Sequence, residues 1–554
     1  MCHPAGRRTG RRIHFSTKRA GIAPCSVHCY HSDQTAVPFL IGSRRKNLPP
    51  GPPTLPVIGN LHMLPTKFAH HKFTEWARTY GGIYSLKIGA GTAIVLTDPN
   101  IVQELLEKRN AITADRPATH VGDVITGGLN FVIARYGDKW RTMRKTAHAI
   151  LMPQAAARHL PIQRAEAVQL LHDILCTPES FYTHVARYSH SVIMSIVYGE
   201  RTPQSNSPEI VAYFSMLHEW AAITEPGATP PVDMIPLLKL IPEYFTKWKR
   251  AARKIRALQR ALYCKLLDAT EARLQRGEPN QSYMEEVLEK QNTFGLHREM
   301  TVYLAGTLLE AGSETTSSYL NSLILCLVAC PEVQHKAQDE IDRVVGEDRL
   351  PTLDDFENLP YIRAIVSETH RFRPGLPILV PHASTEPQTY GEYFIPSGST
   401  IFVNLWGIFH DPALYEDPET FIPERYLLKE DGTKPGLEAN GPSPALSFGV
   451  GRRSCPGIHL AQKSININVM NLIWAFNFEP AMDADGNPIQ ADTSAFSAGL
   501  STSPLPFRCT ITPRSAEKTE IIRLEYLDAA DTFEKFESGL SAEDKEFVAR
   551  SRGR

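Results

Sequence analysis

The chain has 554 residues, 42% of them hydrophobic and 21% charged, with a formal net charge of −1. This is globular composition with enough apolar material for a large buried core, and the near-neutral balance lacks the basic field that nucleic-acid binding requires. Nine cysteines at irregular spacing suggest a reducing compartment and no disulfide framework. Length alone suggests several domains, but the motifs below must converge on one site, so a single domain is expected over residues 47–515.

Residues 1–46 read as a basic extension outside the fold. Arg7, Arg8, Arg11, Arg12, Lys18 and Arg19 all precede the first acid, Asp33, as in a mitochondrial presequence, while Pro4, Gly6, Gly10, Gly21 and Pro24 oppose an amphipathic helix. Cys25, His28, Cys29 and His31 lack a second ligand pair at zinc-finger spacing and are read as coincidence. A basic patch, Arg44-Arg45-Lys46, leads into a proline-stiffened connector at 48–53 that is neither helix nor central strand. The apolar run before it, 36–41, is far short of the ~20 residues that span a bilayer.

The run 84–96 is strand-like, with further strands expected at 378–380 and 400–403; most of the rest has helical periodicity. The longest helix is expected over 297–329, roughly 30 residues or ~50 Å, ended by Pro331. Glu310, Glu314, Ser317 and Asn321 interrupt its apolar run, so it reads as a buried core helix. Midway lies Ala311-Gly312-Ser313-Glu314-Thr315-Thr316. A glycine there costs about 1 kcal/mol relative to alanine, and a broken local rule inside a core helix marks function. Glu368 and Arg371, three apart on one helical face, form an ion pair that is worth under ~1 kcal/mol on a surface. Residues 516–554 form a charged tail with helical periodicity, expected packed on the surface or disordered.

The most informative segment is Phe448-Gly449-Val450-Gly451-Arg452-Arg453-Ser454-Cys455-Pro456-Gly457. One cysteine sits in a glycine- and arginine-rich loop ahead of a helix expected over 458–476. Arg452, Arg453, the loop N–H groups and the helix N-terminus are expected to favour its thiolate, the metal-binding form. A zinc or iron–sulfur site would need clustered cysteines, and the next is Cys509. The alternative is an inert buried cysteine.

The loop matches the pattern Phe-x-x-Gly-x-Arg-x-Cys-x-Gly, and here the chain resembles the heme-thiolate monooxygenases, the cytochromes P450. Through Leu308-Leu309-Glu310-Ala311-Gly312-Ser313-Glu314-Thr315-Thr316 and Thr512-Pro513-Arg514-Ser515 it is most similar to filamentous-fungal members. The resemblance implies a mainly α fold with a small β region, the P450 fold, holding heme b (iron protoporphyrin IX) with Cys455 as axial ligand. Glu314 and Thr315 would relay protons over a groove in the long helix. Trp140, Arg144, His382 and Arg453 would partner the heme propionates, although Glu386-Pro387 stands where many relatives have aspartate after the histidine. Glu368 and Arg371 would be buried and joined by Arg425. Substrate contacts would come from 112–131, 213–223, 303–309, 375–379 and 497–505, mostly apolar segments suited to a hydrophobic small molecule.

The implied reaction inserts one oxygen atom from O2 into such a molecule, with fungal secondary metabolism as the expected setting. No Gly-x-Gly-x-x-Gly fingerprint precedes a helix, so electrons from NADPH are expected through a separate cytochrome P450 reductase, docked on Lys139, Arg141, Lys145 and Arg452. The basic patch and the apolar stretch 234–245 imply peripheral association with the endoplasmic reticulum membrane on its cytoplasmic side. Mitochondrial import is the alternative. Rival activities are a heme-thiolate isomerase, dehydratase or peroxide-user, and a non-catalytic heme-binding protein.

Overall fold

The computed structural model describes residues 42–224, 228–233, 235–437 and 441–553. Most of the basic extension, including the cysteine–histidine group at 25–31, lies outside the described residues. Arg44 is inside, and it belongs to the fold: its guanidinium donates to Gly51 O, Pro52 O, Ser85 O and Ser85 Oγ. The proline connector is thereby tied to the first strand, and only Arg45 and Lys46 of the basic patch remain exposed.

The strand-like run 84–96 folds as a hairpin, β1 (Ile83–Ile88) and β2 (Gly91–Leu96), turning at Gly89-Ala90. Three short strands follow, β3 (His382–Ala383) and the small hairpin β4 (Gln388–Tyr390) with β5 (Tyr393–Ile395), then β6 (Thr400–Val403). One sheet runs β1-β2-β6-β3, with β2 and β6 parallel and the other pairs antiparallel. The strand expected at 378–380 does not form. Pro377 and Pro381 flank it and offer no N–H to a ladder, leaving the bond from Leu379 N–H to Val403 O at 3.0 Å.

Helices make up the body: α1 (His120–Thr126), α2 (Asp138–Leu151), α3 (Leu160–Cys176), α4 (Phe181–Tyr198), α5 (Pro208–Thr224), α6 (Lys247–Gln275), α7 (Arg298–Ala329), α8 (Pro331–Val345), α9 (Pro360–Phe372) and α10 (Ile458–Ala475). α7 is the expected core helix. His297 Nδ1 caps its start by accepting from Met300 N–H, and at Pro331 the chain bends by 106° into α8. Apolar on nearly all sides, α7 is buried among neighbours as such a helix must be. No single helix among the described residues is long and apolar enough to cross a membrane.

After α10 come the antiparallel strands β7 (Phe476–Pro480) and β8 (Cys509–Pro513), then α11 (Ala516–Asp528), α12 (Ala530–Glu534) and α13 (Ala542–Ser551). The tail packs against the helical body. Ile522, Tyr526, Ala530 and Phe533 form a buried stripe, and Tyr526 stacks on His172 of α3. Glu537 pairs with Arg201 at 2.7 Å and Arg552 at 2.6 Å, and Arg201 continues to Glu166 at 2.9 Å.

Candidate functional site

The cysteine loop is shaped by glycine and closed by one hydrogen bond. At Gly451, φ is 59° and an added Cβ would lie 2.4 Å from Leu106 O, so no larger residue fits. The chain then makes a short 3-10 turn (Gly451–Arg453), and Cys455 N–H donates to Phe448 O at 2.7 Å. This places Cys455 just ahead of α10. Burial pushes its thiol pKa up, opposed by the Gly457 N–H and the charge of Arg144. The sequence expectation is therefore corrected. Arg452 is exposed and donates to Tyr136 Oη, and Arg453 is turned to backbone carbonyls, so neither drives ionisation; the thiolate needs a bound metal to hold it.

Beside the cysteine stands a group of arginines with little opposing charge. Arg453 donates to Ala114 O at 2.6 Å and Ala134 O at 2.8 Å, with a longer bond to Phe131 O at 3.4 Å. Its guanidinium lies 4.2 Å over the Trp140 ring. Arg116, which sequence reasoning missed, donates to Val132 O, Val380 O and Pro381 O. Its pKa is driven well down by burial and by the charges of Arg453 and Arg144. The nearby carboxylate, Asp115, is engaged by Arg135 and the Tyr136 N–H. Arg144, half-buried on α2, and the Trp140 indole N–H have no hydrogen bond to any described residue. Such a set is matched by a ligand carrying carboxylates.

His382 on β3 joins this group. Its Nδ1 lies 2.9 Å from Thr113 O, and a carbonyl only accepts, so Nδ1 carries the proton and Nε2 presents a lone pair. Burial and the charge of Arg116 lower its pKa to about 3. It can donate to a carboxylate only as imidazolium, a form that incoming negative charge favours.

The middle of α7 opens onto space. Between Met300 and Val328 every residue is buried except Ala311 and Thr315, which are exposed, and Gly312 and Glu314, which are half-exposed. Gly312 is also demanded by packing, since a Cβ there would come within 2.7 Å of Ile193 Cγ1 on α4. Thr315 Oγ1 donates to Ala311 O one turn back at 2.8 Å, and burial raises the pKa of Glu314, opposed by His218 on α5. The five expected substrate segments meet around this helix. Tyr213 donates to Leu309 O, Tyr303 to Ile125 O, Ser318 to Thr502 O, and the Thr502 N–H to Gly375 O.

Comparison with known proteins decides the family. Residues 49–510 match the family described as Cytochrome P450. This chain belongs to the cytochrome P450 family. It is 46% identical over 498 residues to a cytochrome P450 monooxygenase of Armillaria gallica, covering 90% of this chain and 95% of the relative. It is 41% identical over 515 residues to another from Arthrobotrys oligospora, with the same coverage. A third, yanC of Aspergillus niger, is 39% identical over 498 residues, covering 87% and 92%. Among solved structures, a zebra fish cytochrome P450 with progesterone superposes with a TM-score of 0.66 at 26% identity, covering 80% of this chain and 99% of that one.

Heme b is the cofactor of this P450, and the residues present fit it: a cysteine that feels the charge of Arg144, Arg144 and Trp140 donors that no described residue engages, and an opening in α7. When bound, heme supplies the activation of dioxygen; the protein binds, orients and tunes it. Below the loop, the Glu368–Arg371–Arg425 triad is buried as the resemblance implied. Arg371 bonds Glu368 at 2.7 and 2.8 Å, and Arg425 bonds it at 3.1 and 3.3 Å. Arg371 also donates to Phe409 O, Pro418 O and Thr420 O. The triad thus clamps α9 to the 409–425 meander, and removing one member would strand a buried charge at several kcal/mol.

Proposed function

We propose that this P450 monooxygenase inserts oxygen into a hydrophobic small molecule of secondary metabolism, with Glu314 and Thr315 handling protons at the opening in α7. The observation that carries this reading is that opening, around which the mostly apolar segments from 112–131, 213–223, 303–309, 375–379 and 497–505 converge. Raised by burial, the Glu314 carboxyl holds its proton to higher pH than an exposed glutamate, as a proton donor should. The Thr315 hydroxyl needs only a side-chain rotation to leave Ala311 O and face the opening.

Electrons come from NADPH through a separate reductase. The exposed Lys139, Arg141, Lys145 and Arg452 support a docking face, although Arg141 is partly neutralised by Asp138. Association with the endoplasmic reticulum surface is supported by Leu237, Leu240, Tyr244 and Phe245, which are 73–82% exposed, with Lys247, Lys249 and Arg250 beside them. Arg44 is unavailable for this, being tied into the fold.

A screen of hydrophobic metabolites for a low- to high-spin shift identifies the substrate. With that substrate, Thr315→Ala is expected to retain heme and substrate binding but divert most reducing equivalents to peroxide or water. Unchanged coupling of NADPH consumption to product in the variant removes Thr315 from the mechanism.

A further inference from the structure

Glu310 lies on α7 one turn before Glu314 and is buried, with no ion pair among the described residues. Three donors from two other parts of the chain converge on its carboxyl. From α6, Gln259 Nε2 donates to Oε1 at 3.0 Å and the Tyr263 hydroxyl donates to the same oxygen. Asn130 Nδ2 donates to Oε2 at 3.4 Å. That amide is itself buried and has no other acceptor among the described residues, while its Oδ1 accepts from Val132 N–H at 3.1 Å. A buried carboxyl without a cation is costly unless such donors satisfy it.

Asn130 opens the stretch whose carbonyls hold the arginine group. Phe131 O and Ala134 O accept from Arg453, and Val132 O accepts from Arg116. One end of this stretch is therefore fixed to α6 and α7 through Glu310, and the following residues hold the guanidiniums of Arg116 and Arg453, which would partner heme carboxylates. Nothing in the proton-handling reading uses Glu310.

We propose that Glu310 is a positioning residue that ties residues 130–134 to α6 and α7, and so sets the placement of Arg116 and Arg453 toward the heme carboxylates. The link to heme rests on the reading of those arginines as carboxylate partners; the tie itself does not.

The test exchanges the two groups. Asn130→Asp keeps the acceptor for Val132 N–H but sets a second carboxylate against Glu310. The swap, Asn130→Asp with Glu310→Gln, restores the pattern: the amide introduced on α7 donates to the carboxylate introduced at position 130, and its oxygen accepts from Tyr263 and Gln259. Two quantities are read on ferric holoenzyme at about pH 8.5, above the value of about 7 to which burial raises the Glu310 carboxyl: amide hydrogen exchange across 128–135 against α10 as control, and the rate of heme loss to an excess of an apo heme-acceptor protein. Asn130→Asp is expected to speed both by about tenfold, the worth of one buried hydrogen bond to a charged group, leaving α10 unchanged. The swap should return both most of the way to wild type. Unchanged exchange in Asn130→Asp, or a swap no better than the single variant, overturns the tie. Faster exchange with unchanged heme loss overturns the link to the cofactor. If Asn130→Asp fails to accumulate heme, recovery of heme in the swap supports the proposal and its absence overturns it.

Discussion

Glu310 shows how burial, helped by the charge of Glu314 one turn on, moves a carboxyl toward neutrality. Desolvation, partly opposed by the Tyr263 and Gln259 hydrogen bonds, raises its pKa to about 7, well above an exposed glutamate. The fold therefore prefers the protonated form. Stability associated with this group is full in acid and is lost as pH rises from the ordinary carboxylate range through about 7. Glu310→Gln removes that loss. The lost Asn130 bond subtracts a constant at every pH, but between pH 5 and pH 8 the variant should gain on the wild type by up to ~3 kcal/mol relative to its position at pH 5. Thermal unfolding of both proteins across that range checks it, and a difference independent of pH contradicts it. At this scale, Cys455, Trp140 and Arg144 could be nominated because their motifs are local in sequence. Arg116 and Glu310 were not: Arg116 meets its acceptors 16, 264 and 265 residues away, and Glu310 meets Asn130 across 180. No spacing rule reaches so far. Arg452 and Arg453 misled for the complementary reason, since adjacency to Cys455 in sequence says nothing about where a long side chain turns.

α7 was legible almost to the residue, because a long apolar helix closed by proline carries its own signal. The strand expected at 378–380 failed because the β propensity of Ile378-Leu379-Val380 is overridden by the two flanking prolines, which forbid a ladder. The tail's helical periodicity was readable but its partners were not: Glu537 meets Arg201 across 336 residues. Truncation after Ser515 would uncover the stripe at Ile522, Tyr526 and Phe533. It would also leave Arg201, buried beside Phe533, without Glu537. Losing one partner from such a network costs about 3–5 kcal/mol. The truncated protein is expected to melt a few degrees lower, at about 1 °C per kcal/mol for a domain of this size, followed by loss of the heme Soret absorbance on heating. An unchanged melting temperature would show that the tail adds nothing to the fold.

The whole molecule presents two exposed surfaces of different character. One is the exposed basic group of Lys139, Arg141, Lys145 and Arg452; the other is the apolar patch at Leu237, Leu240, Tyr244 and Phe245 with its neighbouring cations. If the patch and its cations hold the protein at an anionic membrane, binding to vesicles containing anionic lipid should fall as salt rises and screening shortens. Leu240→Ser with Phe245→Ser should weaken binding at every salt concentration while leaving the heme spectrum intact. Binding that ignores both salt and these substitutions would remove this surface from the account. The mainly α architecture and its cofactor were legible before any coordinate, since a few motifs spread over the chain must meet at one site. The route by which substrate reaches α7 was not, since apolar segments report core packing and ligand contact alike.

All of this depends on Cys455 being the group that holds the iron. The most direct measurement is the spectrum of the reduced protein with carbon monoxide, recorded for the wild type and for Cys455→Ala. The wild type should give the red-shifted Soret band of thiolate ligation and the variant should lose it. Retention of that band in Cys455→Ala would contradict the assignment.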